Sequence, residues 1–213
     1  MASQTIQVYD SIKENIINGM YSPAESLKEL DLAHQYKVSR NTIKKCLLML
    51  EKNGLVVIEP NKGAKVRSYS LNEVLNFFEL RAVLEGYITR IAVPALKASD
   101  IKALEDIIVT MKAYFDSQQL IEYSKCNQEF HKIIHHACPN DLAVEMSLNL
   151  KNQMSKYNTK TILVPGRRDE SLAEHLAILA AIKSGNAELA EAKMKEHILN
   201  VRKTFENNFS LLV

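Results

Sequence analysis

The chain has no tryptophan and only six glycines and five prolines in 213 residues. Such a scarcity of turn formers argues against an all-β protein assembled from many short strands. Its three cysteines, Cys46, Cys126 and Cys138, contain no CxxC pair, which excludes a disulfide framework and a four-cysteine zinc module and suggests reduced thiols. No apolar run approaches the roughly 18 residues of a membrane span. The first residues, Met1 to Gln7, carry neither the positive charge nor the apolar stretch of a secretory signal. The expectation is a cytoplasmic protein that does not enter a membrane. Nor is there the poverty of apolar residues that marks disorder, since 46% of the chain is apolar and 24% charged. The Leu, Ile, Ala, Lys and Glu content favours helices, and the length suits two modest domains or one large one.

The net charge of +2 hides an asymmetry. Residues 1–70 hold ten Lys/Arg against seven Asp/Glu, and within them the segment 37–67 holds eight basic residues against Glu51 and Glu59 alone. A basic segment of this kind is either a phosphate-binding surface or a solvated face, and charge does not choose between them.

Pattern does. Ile6, Tyr9, Ile12, Ile16 and Ile17 recur at helical spacing, with Gly19 where a helix C-terminal glycine belongs. After the Tyr21-Ser22-Pro23 turn, Leu27, Leu30, Leu32 and Ala33 predict a short second helix to about Tyr36. Ser39 is a good N-cap for a third, whose buried stripe is Ile43, Cys46, Leu47 and Leu50. Arg40, Asn41, Thr42, Lys44 and Lys45 lie largely off that stripe, near the N-terminal end of the helix. The β-branched run Leu55–Ile58, a turn over 59–63 and Ala64–Arg67 then predict a hairpin. Three helices and a basic-tipped hairpin make a winged helix-turn-helix, in which the N-terminal part of the second helix of the motif enters the major groove. There Arg40 suits guanine and Asn41 adenine. Lys44, Lys45, Lys62 and Lys65 suit phosphates, and Gly63 would let the hairpin backbone approach the duplex. A winged helix used for protein contacts is the alternative.

Residues 71–208 read as amphipathic helices over about 71–94, 99–117, 119–137, 141–158, 169–184 and 186–208, punctuated by Pro94, Pro139, Pro165 and Gly185. Ser99 and Asp100 are candidate caps for the second and Asn186 for the last. An all-helical bundle is the natural architecture. The fold class expected is thus mainly α: a winged helix-turn-helix over 1–70 and an all-helical domain over 71–213.

Asn127 and His131 are four apart and share a helix face. His175 lies ten residues before Gly185 and His197 eleven after Asn186, so an antiparallel hairpin would set them at similar heights. Three imidazoles with an amide or water would suit zinc, nickel or another borderline divalent cation. Spacing alone reads equally as separate polar histidines, and His135 and His136 add to the choice.

The runs Ile16-Ile17-Asn18-Gly19, Leu32-Ala33, Val38 to Lys44, Leu50 to Leu55 and Asn61 to Val66 resemble, in order and spacing, the DNA-binding domain of the GntR family of bacterial transcription regulators. In that family a Ser-Arg pair opens the recognition helix and a second arginine follows four residues on; here these are Arg40 and Lys44. Besides Lys44, Ala24 replaces the usual glycine after proline, and Leu30 stands where arginine is common. Such departures imply an operator unlike the commonest one, since lysine is a point charge and not a planar fork. Asn127 to His131, Glu174 to Ile182 and Met194 to Ile198 resemble the FCD ligand-binding domain of the FadR-type branch. The resemblance implies that Asn127, His131, His175 and His197 hold a divalent metal, and that Arg81, in Phe78 to Glu85, receives an organic-acid effector; a plain Arg81–Glu85 helix pair is the alternative. It also implies a homodimer on an inverted-repeat DNA operator, most simply a repressor. The readings from another class are a metal-dependent hydrolase with Glu174 or Glu129 as base, and a direct sensor of the metal.

Overall fold

The computed structural model describes residues 4–60, 62–154 and 161–212, the side chain of Ser210 excepted. The chain divides into two compact units, Met1–Ser70 and Leu71–Val213.

In the first unit, α1 (Gln4–Ile17) buries Val8, Tyr9, Ile12 and Ile16 against α3 (Arg40–Lys52), whose buried stripe is Ile43, Cys46, Leu47 and Leu50. Fully burying side chains such as Ile43 and Leu50 contributes roughly 1.5–3 kcal/mol each. Between them, α2 (Glu29–Tyr36) contributes Leu32 and Ala33 to the same core. Ser39 caps α3, its Oγ accepting the Thr42 N–H at 3.1 Å. A three-stranded antiparallel sheet in the order β1-β3-β2 completes the unit, with β1 at Ser26–Leu27, β2 at Val56–Glu59 and β3 at Gly63–Val66. Register pairs Val57 with Lys65 and Ile58 with Ala64, so Ala64 and Val66 turn into the core while Lys65 faces out.

Two details differ from expectation. Leu27 belongs to β1, not to the second helix, and α2 starts at Glu29. Pairing with Ala64 buries Leu27 to 2% exposure, and Leu30 is left exposed. Gly63 is demanded from within, because its φ is +92° and a Cβ there would stand 2.7 Å from the Leu27 carbonyl oxygen. The hairpin turn residue Asn61 lies outside the described residues.

The second unit is helical in all its described elements. They are α4 (Leu71–Ala92), α5 (Ala98–Asp116), α6 (Leu120–Ala137), α7 (Asp141–Gln153), α8 (Arg167–Lys183), α9 (Ala187–Asn207) and the short α10 (Phe209–Leu212), with single 3₁₀ turns at Val93–Ala95 and Thr161–Leu163. The last part of the helix expected over 141–158 lies outside the described residues. Asn186 caps α9 through the Leu189 N–H at 2.9 Å. α5 begins one residue before Ser99, with Asp100 accepting the Lys97 N–H at 2.9 Å. α9 packs along α4 and pairs with α8; α5 lies on α6 and α8, and α7 on α4. Phe78, Ile88, Leu104, Tyr123, Phe130, Met194 and Phe205 form much of the buried interior. Among the described residues, no helix is long and apolar enough to cross a membrane.

Candidate functional site

In the first unit the N-terminal end of α3, the start of α2 and the wing strands enclose an open groove of about 1140 Å³. Arg40, Lys44, Lys62, Gly63 and Lys65 all line it, joined by Lys28, which pattern did not single out, and by Glu29, Asp31 and Glu59. Two of the cations are held internally. Arg40 pairs with Glu29 at 3.1 Å and Lys65 with Glu59 at 2.9 Å. Asn41 and Lys45 are exposed on α3 but do not line the groove. Thr42 turns its hydroxyl to the Ser39 Oγ, 2.8 Å away, so its side chain belongs to the helix cap.

In the second unit three helices converge on one point. α6 supplies His131, α8 supplies His175 and α9 supplies His197, with donor atoms all within 4.8 Å of one another. The α8–α9 hairpin, turning at Gly185 with φ +69°, sets His175 and His197 at matching heights, their ring centroids 4.5 Å apart. His131 stands 5.5 Å from the first and 5.4 Å from the second. All three are buried. Burial, opposed by Glu85, lowers the His131 pKa to about 3. Burial and the charges of His197 and His131 push His175 well below the usual imidazole range. Burial also lowers His197, against the pull of Glu174. At neutral pH the cluster therefore offers uncharged nitrogen lone pairs.

The surroundings orient two of the rings. His175 Nδ1 donates to the Ser171 carbonyl at 2.6 Å, leaving its Nε2 buried with no hydrogen-bond partner among the described residues. His197 Nδ1 donates to Glu174 Oε2 at 2.6 Å. Glu174 is itself gripped by the Arg167 fork, at 3.1 and 2.7 Å, and by the Asn200 amide at 2.8 Å. Burial disfavours its charge, yet His197 and Arg167 outweigh it and lower its pKa. Arg167 opens α8 and is 3% exposed. Seven-residue spacing from Arg167 to Glu174, two turns on one helix face, was the signal for this pair. The carboxylate proposed as a hydrolytic base at Glu174 is thus fully committed, and Glu129 is exposed beside Lys132.

Asn127 lies one turn before His131, and its Oδ1 is buried with no hydrogen-bond partner among the described residues. An orphaned amide oxygen, an orphaned imidazole nitrogen and three converging neutral rings fit a borderline divalent cation of the zinc or nickel type. A buried carboxylate adjoins the cluster. Glu85 accepts from Ser147 Oγ at 2.8 Å and His135 Nε2 at 2.9 Å, with Arg81 Nε at 3.4 Å. Burial would raise the Glu85 pKa, but His131, the His135 hydrogen bond and the Arg81 charge hold it well below the usual carboxylate range. Arg81 is 6% exposed and forms the i,i+4 pair with Glu85. A cleft of about 510 Å³ between α6 and α7 reaches His131 and His135 from solvent and is lined also by Lys151, whose ammonium pKa is lowered by burial and then by the Arg81 charge.

Known proteins fall in line with this two-part layout. Residues 4–66 match the family described as bacterial regulatory proteins, gntR family, and residues 76–200 match the FCD domain. The HTH-type transcriptional repressor RspR of Escherichia coli (strain K12) is 23% identical over 195 residues, covering 92% of this chain and 86% of that protein. An uncharacterized HTH-type transcriptional regulator of Bacillus subtilis (strain 168), YdhC, is 28% identical over 204 residues, covering 91% and 85%. The solved structure of E. coli McbR/YncC superposes with a TM-score of 0.77 at 20% identity, covering 100% of this chain and 98% of that one, which shows a shared fold. The chain therefore belongs to the gntR family of bacterial regulatory proteins, in the FadR-type group that carries an FCD domain, and is a DNA-binding transcriptional regulator.

Proposed function

We propose that the protein is a cytoplasmic homodimeric repressor that binds an inverted repeat through α3 and the wing, and that releases it when a small organic acid occupies the helical unit beside a bound divalent metal. The observation that carries the effector half is the meeting of His131, His175 and His197 from three helices, with the buried Asn127 Oδ1 and His175 Nε2 lacking hydrogen-bond partners among the described residues. When bound, the cation would act as a Lewis acid toward a carboxylate oxygen. Asn127 and the three histidines would hold it. Arg81 would counter the remaining negative charge, and the α6–α7 cleft offers a route in. For DNA, Arg40 and Asn41 are the base-reading side chains, while Lys44, Lys45, Lys62 and Lys65 neutralise phosphate. Exposed Leu80 and Val83 on α4, with Leu142 and Met146 on the adjoining α7, support a dimer contact there.

The test begins with sheared DNA of the source genome, incubated with the protein at physiological salt, recovered and sequenced. One enriched palindrome is expected. Operator affinity is then measured with chelator, with Zn²⁺ or Ni²⁺, and with a panel of small carboxylic acids added. A loss of about 5- to 150-fold that needs both metal and acid, and that disappears in His175→Ala and Arg81→Ala, is the expected result. A response to metal alone would replace the effector reading with metal sensing. Binding without sequence preference would overturn the operator reading.

A further inference from the structure

The three rings of the cluster are not held alike. His175 and His197 are each fixed through Nδ1, by the Ser171 carbonyl and by Glu174, both at 2.6 Å. Among the described residues, His131 Nδ1 is buried and has no hydrogen-bond partner, and the group that faces it is the Glu85 carboxylate, with Oε2 at 3.7 Å. A neutral imidazole carries one proton, and its position is set by what each nitrogen faces. A lone pair directed at a carboxylate is repelled and an N–H is attracted, so Glu85 selects the Nδ1–H form of His131, whose lone pair then lies on Nε2. The carboxylate is well anchored for this purpose. Ser147, His135 and Arg81 hold it from α7, α6 and α4, and all four side chains are buried. Ring movement of about 1 Å would bring Nδ1 to hydrogen-bonding distance.

We infer that Glu85 is a positioning residue for His131, the counterpart of Glu174 for His197, and that it prepares the third imidazole to accept a divalent cation. The inference rests on the metal reading above for its purpose, but its first consequence concerns the metal-free protein. Outer carboxylates of this kind fix the ring and raise its basicity as a ligand, and losing one typically costs 10- to 100-fold in metal affinity.

The experiment uses the full chain labelled with ¹⁵N-histidine, freed of metal, at pH 7. Long-range ¹H–¹⁵N correlation spectra report which nitrogen of each imidazole bears the proton. His131 is expected as the Nδ1–H form in the natural sequence. In Glu85→Gln it should shift toward Nε2–H, while His175 and His197 keep their forms. Titration with Ni²⁺ and Zn²⁺ should then show a 10- to 100-fold weaker site in Glu85→Gln, and Glu85→Asp should recover the Nδ1–H form at least in part. An Nε2–H form of His131 in the natural sequence would overturn the inference without recourse to any variant. So would an unchanged form and unchanged affinity in Glu85→Gln. The natural protein showing Nδ1–H at His131 yet binding neither ion would instead remove the metal reading and leave the positioning by Glu85 standing.

Discussion

Ala24 sits at φ +62°, in the left-handed region, donating its N–H to the Val66 carbonyl at 2.9 Å. The Cβ makes that conformation costly for an L-residue, and glycine avoids the cost. Ala24→Gly should therefore stabilise the protein by about 1 kcal/mol, read as a higher urea midpoint at unchanged m; a neutral or lower midpoint would show the strain to be relieved elsewhere. Arg40 presents the opposite case, a residue whose value lies outside the fold. It is exposed and pairs with the surface carboxylate of Glu29. Arg40→Ala should leave the melting curve unchanged and remove roughly 1–3 kcal/mol of discrimination between the operator and a single-base variant, measured by competition binding. An unaltered preference would remove Arg40 from base reading.

At the scale of elements, β1 is two residues long, yet it decides where the wing lies. Leu27 pairs with Ala64, and Gly63 passes so close to the Leu27 carbonyl that a Cβ would be 2.7 Å from it. Gly63→Ala adds both that clash and an unfavourable φ, so it should cost roughly 1–3 kcal/mol in thermal or urea unfolding and weaken DNA binding through the displaced wing. Full stability would mean that β1 can move away freely. β1 was hidden in the sequence because Leu27, Leu30 and Leu32 mimic a helical face, and a two-residue strand has no period of its own. The long helices were legible for the converse reason: α4 to α9 carry enough turns for their buried stripes to repeat. The hairpin of α8 and α9 was legible too, since nearly equal distances from the Gly185-Asn186 turn put His175 and His197 level. What holds those rings was not. Glu174 acquires its role from His197 and Asn200 on the next helix, and Glu85 from Ser147 on α7, and no local spacing reports pairings across helices.

For the molecule as a whole, the buried histidines tie stability to pH. Their folded pKa values lie below that of an unfolded imidazole near 6.5, reaching about 3 for His131. Between those limits the unfolded chain binds protons that the folded chain refuses, so stability falls as pH drops below about 6.5. Glu85 and Glu174, with lowered pKa values, add loss in the same direction below about 4.5. Urea unfolding of metal-free protein should weaken by up to roughly 1.4 kcal/mol per pH unit for each histidine that remains neutral in the fold. A His131→Asn variant should show a shallower slope, and a flat profile from pH 7 to 5 would mean that the rings are charged in the fold. Assembly has its own test at this scale. Leu80→Glu combined with Val83→Glu places two charges on the exposed apolar face of α4, and sedimentation should show a monomer whose hold on a two-half-site operator is lost while its helical content is kept. A dimer that persists would move the contact to another face. The groove of the first unit also has an ionic consequence. Arg40 and Lys65 arrive already matched to Glu29 and Glu59. On meeting a duplex they would exchange one anion for another, and the two released carboxylates would draw sodium or potassium from solution. Some of the counterions that DNA gives up would thus be taken back by the protein, so its affinity would fall less steeply with added salt than its count of groove cations implies.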